Sequence, residues 1–165
     1  MDNGLHKSLS KGNLTIEVSY RPADLVWRNE LRKAVDEMVQ DQLRKDYDSL
    51  NYFILRFSKN GEEIESAFVG SPTKFEEVTN YLAFGMQQHL IQVNGEDSSR
   101  VLDVIHTRTF GTSHGSSVMA IFNGNLKHKD NSVKLYLNDA VLGIGTAEFE
   151  FKISDIKNTP PLTLN

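Results

Sequence analysis

The chain has 165 residues, no cysteine and a formal net charge of −4, from 18 Lys and Arg against 22 Asp and Glu. That length can bury one hydrophobic core without staples, and the lack of cysteine excludes disulfides, thiol nucleophiles, thiolate zinc sites and iron–sulfur ligation within the chain. The acidic balance argues against a domain that grips nucleic acid by its phosphates, and no apolar run approaches the roughly 18 residues of a membrane span.

Residues 1–13 are small and polar and predict a flexible N-terminal arm. Met1-Asp2-Asn3-Gly4 is compatible with a start placed after a removed leader, so location stays unknown, with a periplasmic or extracellular one open. Leu14, Ile16, Val18 and Tyr20 alternate with polar residues and predict a half-buried strand. Asp24 is placed to N-cap a helix running to about Lys45, with Trp27, Leu31, Ala34, Val35, Met38 and Gln42 on one face. Arg44 and Lys45 suit the negative end of its dipole.

Tyr52 to Phe57 is a dense aromatic and aliphatic run, followed by Asn60-Gly61, which supplies the positive backbone angles of a tight hairpin turn. A hairpin over 51–69 follows, with Ile64, Ala67 and Phe68 in its returning strand. A second helix fits 73–88, opened by a Thr73/Glu76 capping box and striped by Phe75, Val78, Leu82 and Met86. Leu90 to Val93 and Val101 to His106 predict another hairpin around Asn94-Gly95-Glu96-Asp97. Further strands fit 118–122, 133–137 and 147–153, with a turn at Asn138-Asp139, and the tail after Ile156 is extended or loose.

These elements predict an α+β domain over 14–156, a predominantly antiparallel curved sheet with two packed helices, with a barrel-like or sandwich-like form as its nearest variants. Period-two patterning favours antiparallel strands, because strands buried on both faces of a parallel sheet read as continuous apolar runs. Residues 157–165 form a loose C-terminal tail.

The most site-like stretch is His106 to Ser117, which crowds two imidazoles, a guanidinium and many hydroxyls between two strands. It would bind a polar or anionic group through His106, Arg108, Ser113, His114 and backbone amides near Gly111 and Gly115, with Phe110 and Trp27 supplying apolar contact. A metal is not expected: Asp103 and His106, three apart on a strand, point to opposite faces, and no zinc or calcium motif occurs. A serine hydrolase would nominate Ser113 or Ser116 with His106 or His114 and Asp103, but no nucleophile elbow is present. Gly143-Ile144-Gly145 precedes a strand rather than a helix, which fits a bend better than a phosphate loop. Paired carboxylates such as Glu62-Glu63 fit hydration and helix-end stabilisation.

No catalytic residue and no cofactor is assigned. The leading expectation is a non-enzymatic protein-binding or assembly module that uses an exposed sheet edge or a face rimmed by Tyr47, Tyr52 and Tyr81, with a protein partner or self-association and no nucleic acid. The alternative is a small-ligand binding protein or enzyme with a pocket at the 106–117 loop.

Overall fold

The computed structural model describes residues 4–26, 36–124 and 130–159. Within them, the alternation of apolar and polar residues builds two antiparallel sheets. The first contains β1 (His6–Lys11), β2 (Leu14–Arg21), β3 (Leu50–Lys59), β4 (Glu62–Glu63), β7 (Asp103–Thr107) and β8 (Ser116–Asn123), in the order β1-β2-β3-β8-β7, with β4 also paired to β3. The second contains β5 (Leu90–Asn94), β6 (Asp97–Arg100), β9 (Ser132–Asp139) and β10 (Gly145–Lys152), in the order β10-β9-β5-β6. The sheets do not close into a barrel.

Every second residue of the long strands faces one shared core. Ile16 and Val18 of β2, Phe53, Leu55 and Phe57 of β3, Val118, Ala120 and Phe122 of β8, Leu135 and Leu137 of β9, and Phe149 and Phe151 of β10 all lie in it. Phe53 is its hub. Its ring centroid lies 5.5 Å from Tyr20, 5.8 Å from Phe122 and 5.4 Å from Phe151, so it meets both neighbouring strands and the opposite sheet.

The helical segment that follows β4 closes one side of this core. It comprises a 3₁₀ turn at Ile64–Phe68, α2 (Pro72–Asn80), a π-helical turn at Tyr81–Gly85 and a second 3₁₀ turn at Met86–His89. Val78, Leu82 and Met86 are fully buried, as their spacing predicts. The capping box is not formed, because the helix starts one residue earlier: Ser71 is the N-cap and Pro72 fills the first turn. Asn60 and Gly61 adopt φ of 55° and 77°, as the Asn-Gly turn requires. The returning strand is only Glu62–Glu63, however, and Ile64, Ala67 and Phe68 belong to the 3₁₀ turn.

Three further expectations are corrected. Residues 6–11 are not a loose arm; they pair with β2 from His6↔Ser19 to Lys11↔Leu14, since the backbone of a polar segment completes a hairpin as well as that of an apolar one. The strand returning from β5 is Asp97–Arg100, while Asp103–Thr107 crosses to the first sheet. Asn138 and Asp139 end β9 rather than turning it, and the turn follows at 140–144.

The single helix expected from Asp24 to Lys45 is also revised. Residues 23–26 are helical, which puts Asp24 inside the turn rather than ahead of it. Asp36 is extended at φ −104° and ψ 128°, and its side chain accepts from the Met38 amide at 2.9 Å, starting a fresh helix, α1 (Glu37–Asp48). No residue of α1 is buried, and Met38 is 81% exposed. Trp27, Leu31, Ala34 and Val35 lie outside the described residues. A last short helix, α3 (Ile153–Lys157), follows β10 where a loose tail was expected to begin. Among the described residues no helix is long and apolar enough to cross a membrane.

Truncating Phe53 to alanine is expected to cost about 3–5 kcal/mol, the range for a fully buried phenylalanine. Urea denaturation would show this as a lower midpoint with an unchanged slope.

Candidate functional site

The loop between β7 and β8 projects from one end of the first sheet, next to β4 and the 3₁₀ turn after it. Its tip is a tight turn in which the Thr112 amide donates to the Thr109 carbonyl at 3.1 Å. Phe110 and Gly111 occupy the corner with φ of 52° and 80°. Glycine takes such angles freely. A phenylalanine in the left-handed region is rare and costs on the order of 1–3 kcal/mol. Phe110 is nevertheless 79% exposed, and the Arg108 guanidinium lies over its ring at 4.9 Å.

What holds the turn is a carboxylate. Glu63, itself buried, accepts from the Gly111 amide at 2.8 Å, the Ser113 amide at 3.1 Å and the Thr109 hydroxyl. The amides and hydroxyl that the sequence offers as an anion-binding loop are thus occupied by an anion of the chain itself. The glycine-bearing turn at 140–144 repeats the arrangement: Asp139 accepts from the amides of Val141, Leu142 and Ile144 at 2.8–3.1 Å. Burial alone would raise the Asp139 carboxyl, but the amides of Leu142, Ile144 and Val141 outweigh it and hold the group below its ordinary value.

Beneath the turn lies a second buried carboxylate. Glu65 accepts from the Ser116 hydroxyl, and its Oε1 is 3.2 Å from Nε2 of His106, whose side chain is 2% exposed. That approach is within ion-pair reach although it is off line for a hydrogen bond. The other ring nitrogen, Nδ1, donates to the Ser117 carbonyl at 3.0 Å. With Nδ1 protonated, attraction between Nε2 and the Glu65 carboxyl requires a second proton, and the raised His106 and lowered Glu65 pKa place it on the imidazole at pH below the folded His106 value. Glu65 raises the His106 pKa, helped by the Ser117 carbonyl and opposed by burial and by Arg108. Burial pushes the Glu65 carboxyl up, but His106 and Ser116 outweigh it and its pKa is lowered.

This order of groups is not that of a Ser-His-Asp triad. In a triad the imidazole stands between serine and acid and takes the serine proton. Here the carboxylate stands between Ser116 and His106, and Ser116 is buried. Asp103 is exposed on β7, where its Oδ1 accepts from the Val104 amide at 2.8 Å. Among the described residues no three His, Asp or Glu converge as metal ligands.

Two clefts flank the turn. A cleft of about 250 Å³ is lined by Glu63, Glu65, Ser66, Val69, Phe75 and the 108–111 segment. The adjoining one, about 290 Å³, is lined by Glu62, Glu63, Ser66 and the 111–114 segment, including Ser113 and His114. Of the residues expected at one site, Arg108 and Phe110 share the first cleft, Ser113 and His114 the second, and His106 faces inward beneath both. His106 and His114 therefore do not meet in one concavity. Trp27 lies outside the described residues.

The tyrosine-rimmed face is not formed. Tyr52 and Tyr81 are buried, at 1% and 5% exposure. The Tyr52 hydroxyl donates to the Tyr47 carbonyl at 3.1 Å, and only Tyr47 is partly exposed. The residues that sequence reasoning missed are Glu63 and Glu65. Their signal was two carboxylates two residues apart just after a hairpin turn. It became meaningful only because β3 pairs with both β4 and β8, with Ser58 opposite Glu63 and Phe57 opposite Ser116.

No family model, curated protein or solved structure matches the chain.

The buried pair predicts a pH optimum of stability. His106, with its folded pKa above the ordinary 6.5, contributes fully below that pH and loses its contribution as pH rises through the folded value. Glu65, lowered from 4.5, contributes fully above that pH and loses its contribution as pH falls through the folded value. The pair's contribution is therefore greatest between 4.5 and 6.5. His106→Gln should flatten the alkaline side of a stability-against-pH profile from urea midpoints. An unchanged alkaline slope would refute the ion pair. Separately, Glu63→Ala should speed hydrogen exchange at the Gly111 and Ser113 amides while β2 and β3 amides keep their protection.

Proposed function

We propose that this protein is a non-enzymatic binding module whose Arg108–Phe110 turn docks a protein partner. The observation that carries this reading is Phe110: a large apolar side chain, mostly exposed, held at a positive φ by a buried carboxylate below the turn. Strain of that kind persists where the surroundings fix it. An exposed aromatic and an arginine presented on a fixed support are the side chains that dominate protein interfaces. Val69, 70% exposed, extends the apolar surface across the first cleft.

Two features weigh against the alternatives. A cleft of about 250 Å³ is smaller than the roughly 300–1,000 Å³ typical of small-molecule sites, and the loop's anion-binding donors serve Glu63. On edge strand β7 the Val104 amide donates to Asp103 Oδ1, and an exposed charged side chain on that edge disfavours strand addition there.

The test places a photo-reactive phenylalanine analogue at position 110, with a control at exposed Glu148 on β10. Irradiation in an extract of the source cells should yield a discrete crosslinked protein from position 110 alone. The same products from both positions, or none from 110, would refute the reading. Phe110→Gly provides a second check. Relief of the positive φ should offset the lost arginine contact, leaving stability unchanged or raised by up to about 1 kcal/mol while the crosslink competitor activity of the unlabelled protein is lost. A large loss of stability would mean that Phe110 serves the fold instead.

A further inference from the structure

Resting on that docking reading, we infer that the segment seated at the turn is a peptide that presents a carboxylate beside a branched or aromatic apolar side chain. The unused hydrogen-bond donors of the first cleft support this choice. Arg108 makes no ion pair among the described residues; its guanidinium rests on the Phe110 ring with its in-plane donors uncommitted. Both acids in the cleft are already committed, Glu63 to the turn's amides and hydroxyl and Glu65 to Ser116 and His106. Their acceptor capacity is used within the chain, and among the described residues neither forms an ion pair with Arg108.

The hydrogen-bond donors left unused at this cleft are those of Arg108, since the His106 imidazolium and Glu65 form a pair that is neutral as a whole. A carboxylate matches a guanidinium through two parallel hydrogen bonds, and does so best at a partly dry site. Ser66, half-buried, lines both clefts, and its hydroxyl has no hydrogen-bond partner among the described residues. Val69, Phe75 and Phe110 form the apolar part of the same cleft. Its volume suits one apolar side chain held next to the charge rather than a larger compound. A basic segment would set its cations against Arg108, and a purely apolar one would bury the guanidinium without a partner, which is costly.

Capped tetrapeptides that differ at one position, Gly-Leu-Glu-Gly, Gly-Leu-Gln-Gly and Gly-Leu-Lys-Gly, would be titrated at millimolar concentration into the ¹⁵N-labelled full chain. The acidic peptide should shift the amide resonances of Ser66, Val69 and Gly111 saturably, at least ten-fold more tightly than the amide or lysine peptide. That preference should shrink with added salt and vanish in Arg108→Gln, while Phe110→Ala should weaken all three peptides alike. Equal or tighter binding of the neutral or basic peptide, or shifts confined to other surfaces, would overturn the inference. If the acidic peptide fails while crosslinking from position 110 still captures a protein, the carboxylate preference is wrong and docking stands. If both fail, docking falls as well.

Discussion

The contact of Phe53 with Phe151 joins the two sheets, and the remaining structure is arranged around it. Phe53 lies at the centre of the longest strand, flanked by Tyr20 and Phe122 on its own sheet and facing Phe151 on the other. The pairs with Tyr20 and Phe122 are edge-to-face, and such pairs add about 0.5–1.5 kcal/mol each beyond the area they bury. Because side chains alternate along a strand, fixing Phe53 inward also fixes Leu55 and Phe57 inward and Arg56 outward. The same register sets Ser116 opposite Phe57 and brings the β7–β8 loop beside β4. The geometry of the candidate site is therefore inherited from the packing of the core.

Polar groups buried at the margins of that core do a second job. Gln92, fully buried, accepts from Asn51 at 2.9 Å and donates to the Asn123 carbonyl at 3.1 Å, linking the second sheet to two strands of the first. Glu63 and Asp139 each gather the amides of a glycine-bearing turn. Both turns have the form of an anion nest, and each is filled by a carboxylate from within the chain. The cost of burying each carboxylate is offset by the donors it collects, which turns a flexible loop into a fixed one.

This filling separates two roles within one loop. Glu63, Thr109, Gly111 and Ser113 are committed to holding the turn, while Arg108 and Phe110 are left facing outward. His106 and Glu65 tie the loop's entry strand to the 3₁₀ turn below it, and Ser116 adds the exit strand. The exposed pair thus stands on supports from β4, β7, β8 and the helical segment. Such preorganisation lowers the ordering cost of binding and makes a small surface effective.

Local pattern was enough for the antiparallel α+β class, for strands over 14–20, 52–57, 118–122, 133–137 and 147–153 that the structure places to within about two residues at each end, for the Asn60-Gly61 turn and for Val78, Leu82 and Met86 of the second helix, because each depends on a local period or on one residue's backbone preference. It also singled out the 106–117 loop, through a density of polar groups that a core strand would not carry. Local pattern failed where a neighbour elsewhere in the chain set the outcome. The polar segment 6–11 became a strand because β2 offered its edge, Tyr52 and Tyr81 sank into the core, and Asp36 divided an otherwise continuous helical pattern. Long-range pairing alone brings Glu63 onto the loop's donors and sets Glu65 between Ser116 and His106. Those contacts join residues about fifty positions apart, and their physical basis is strand register, which no short window of sequence contains.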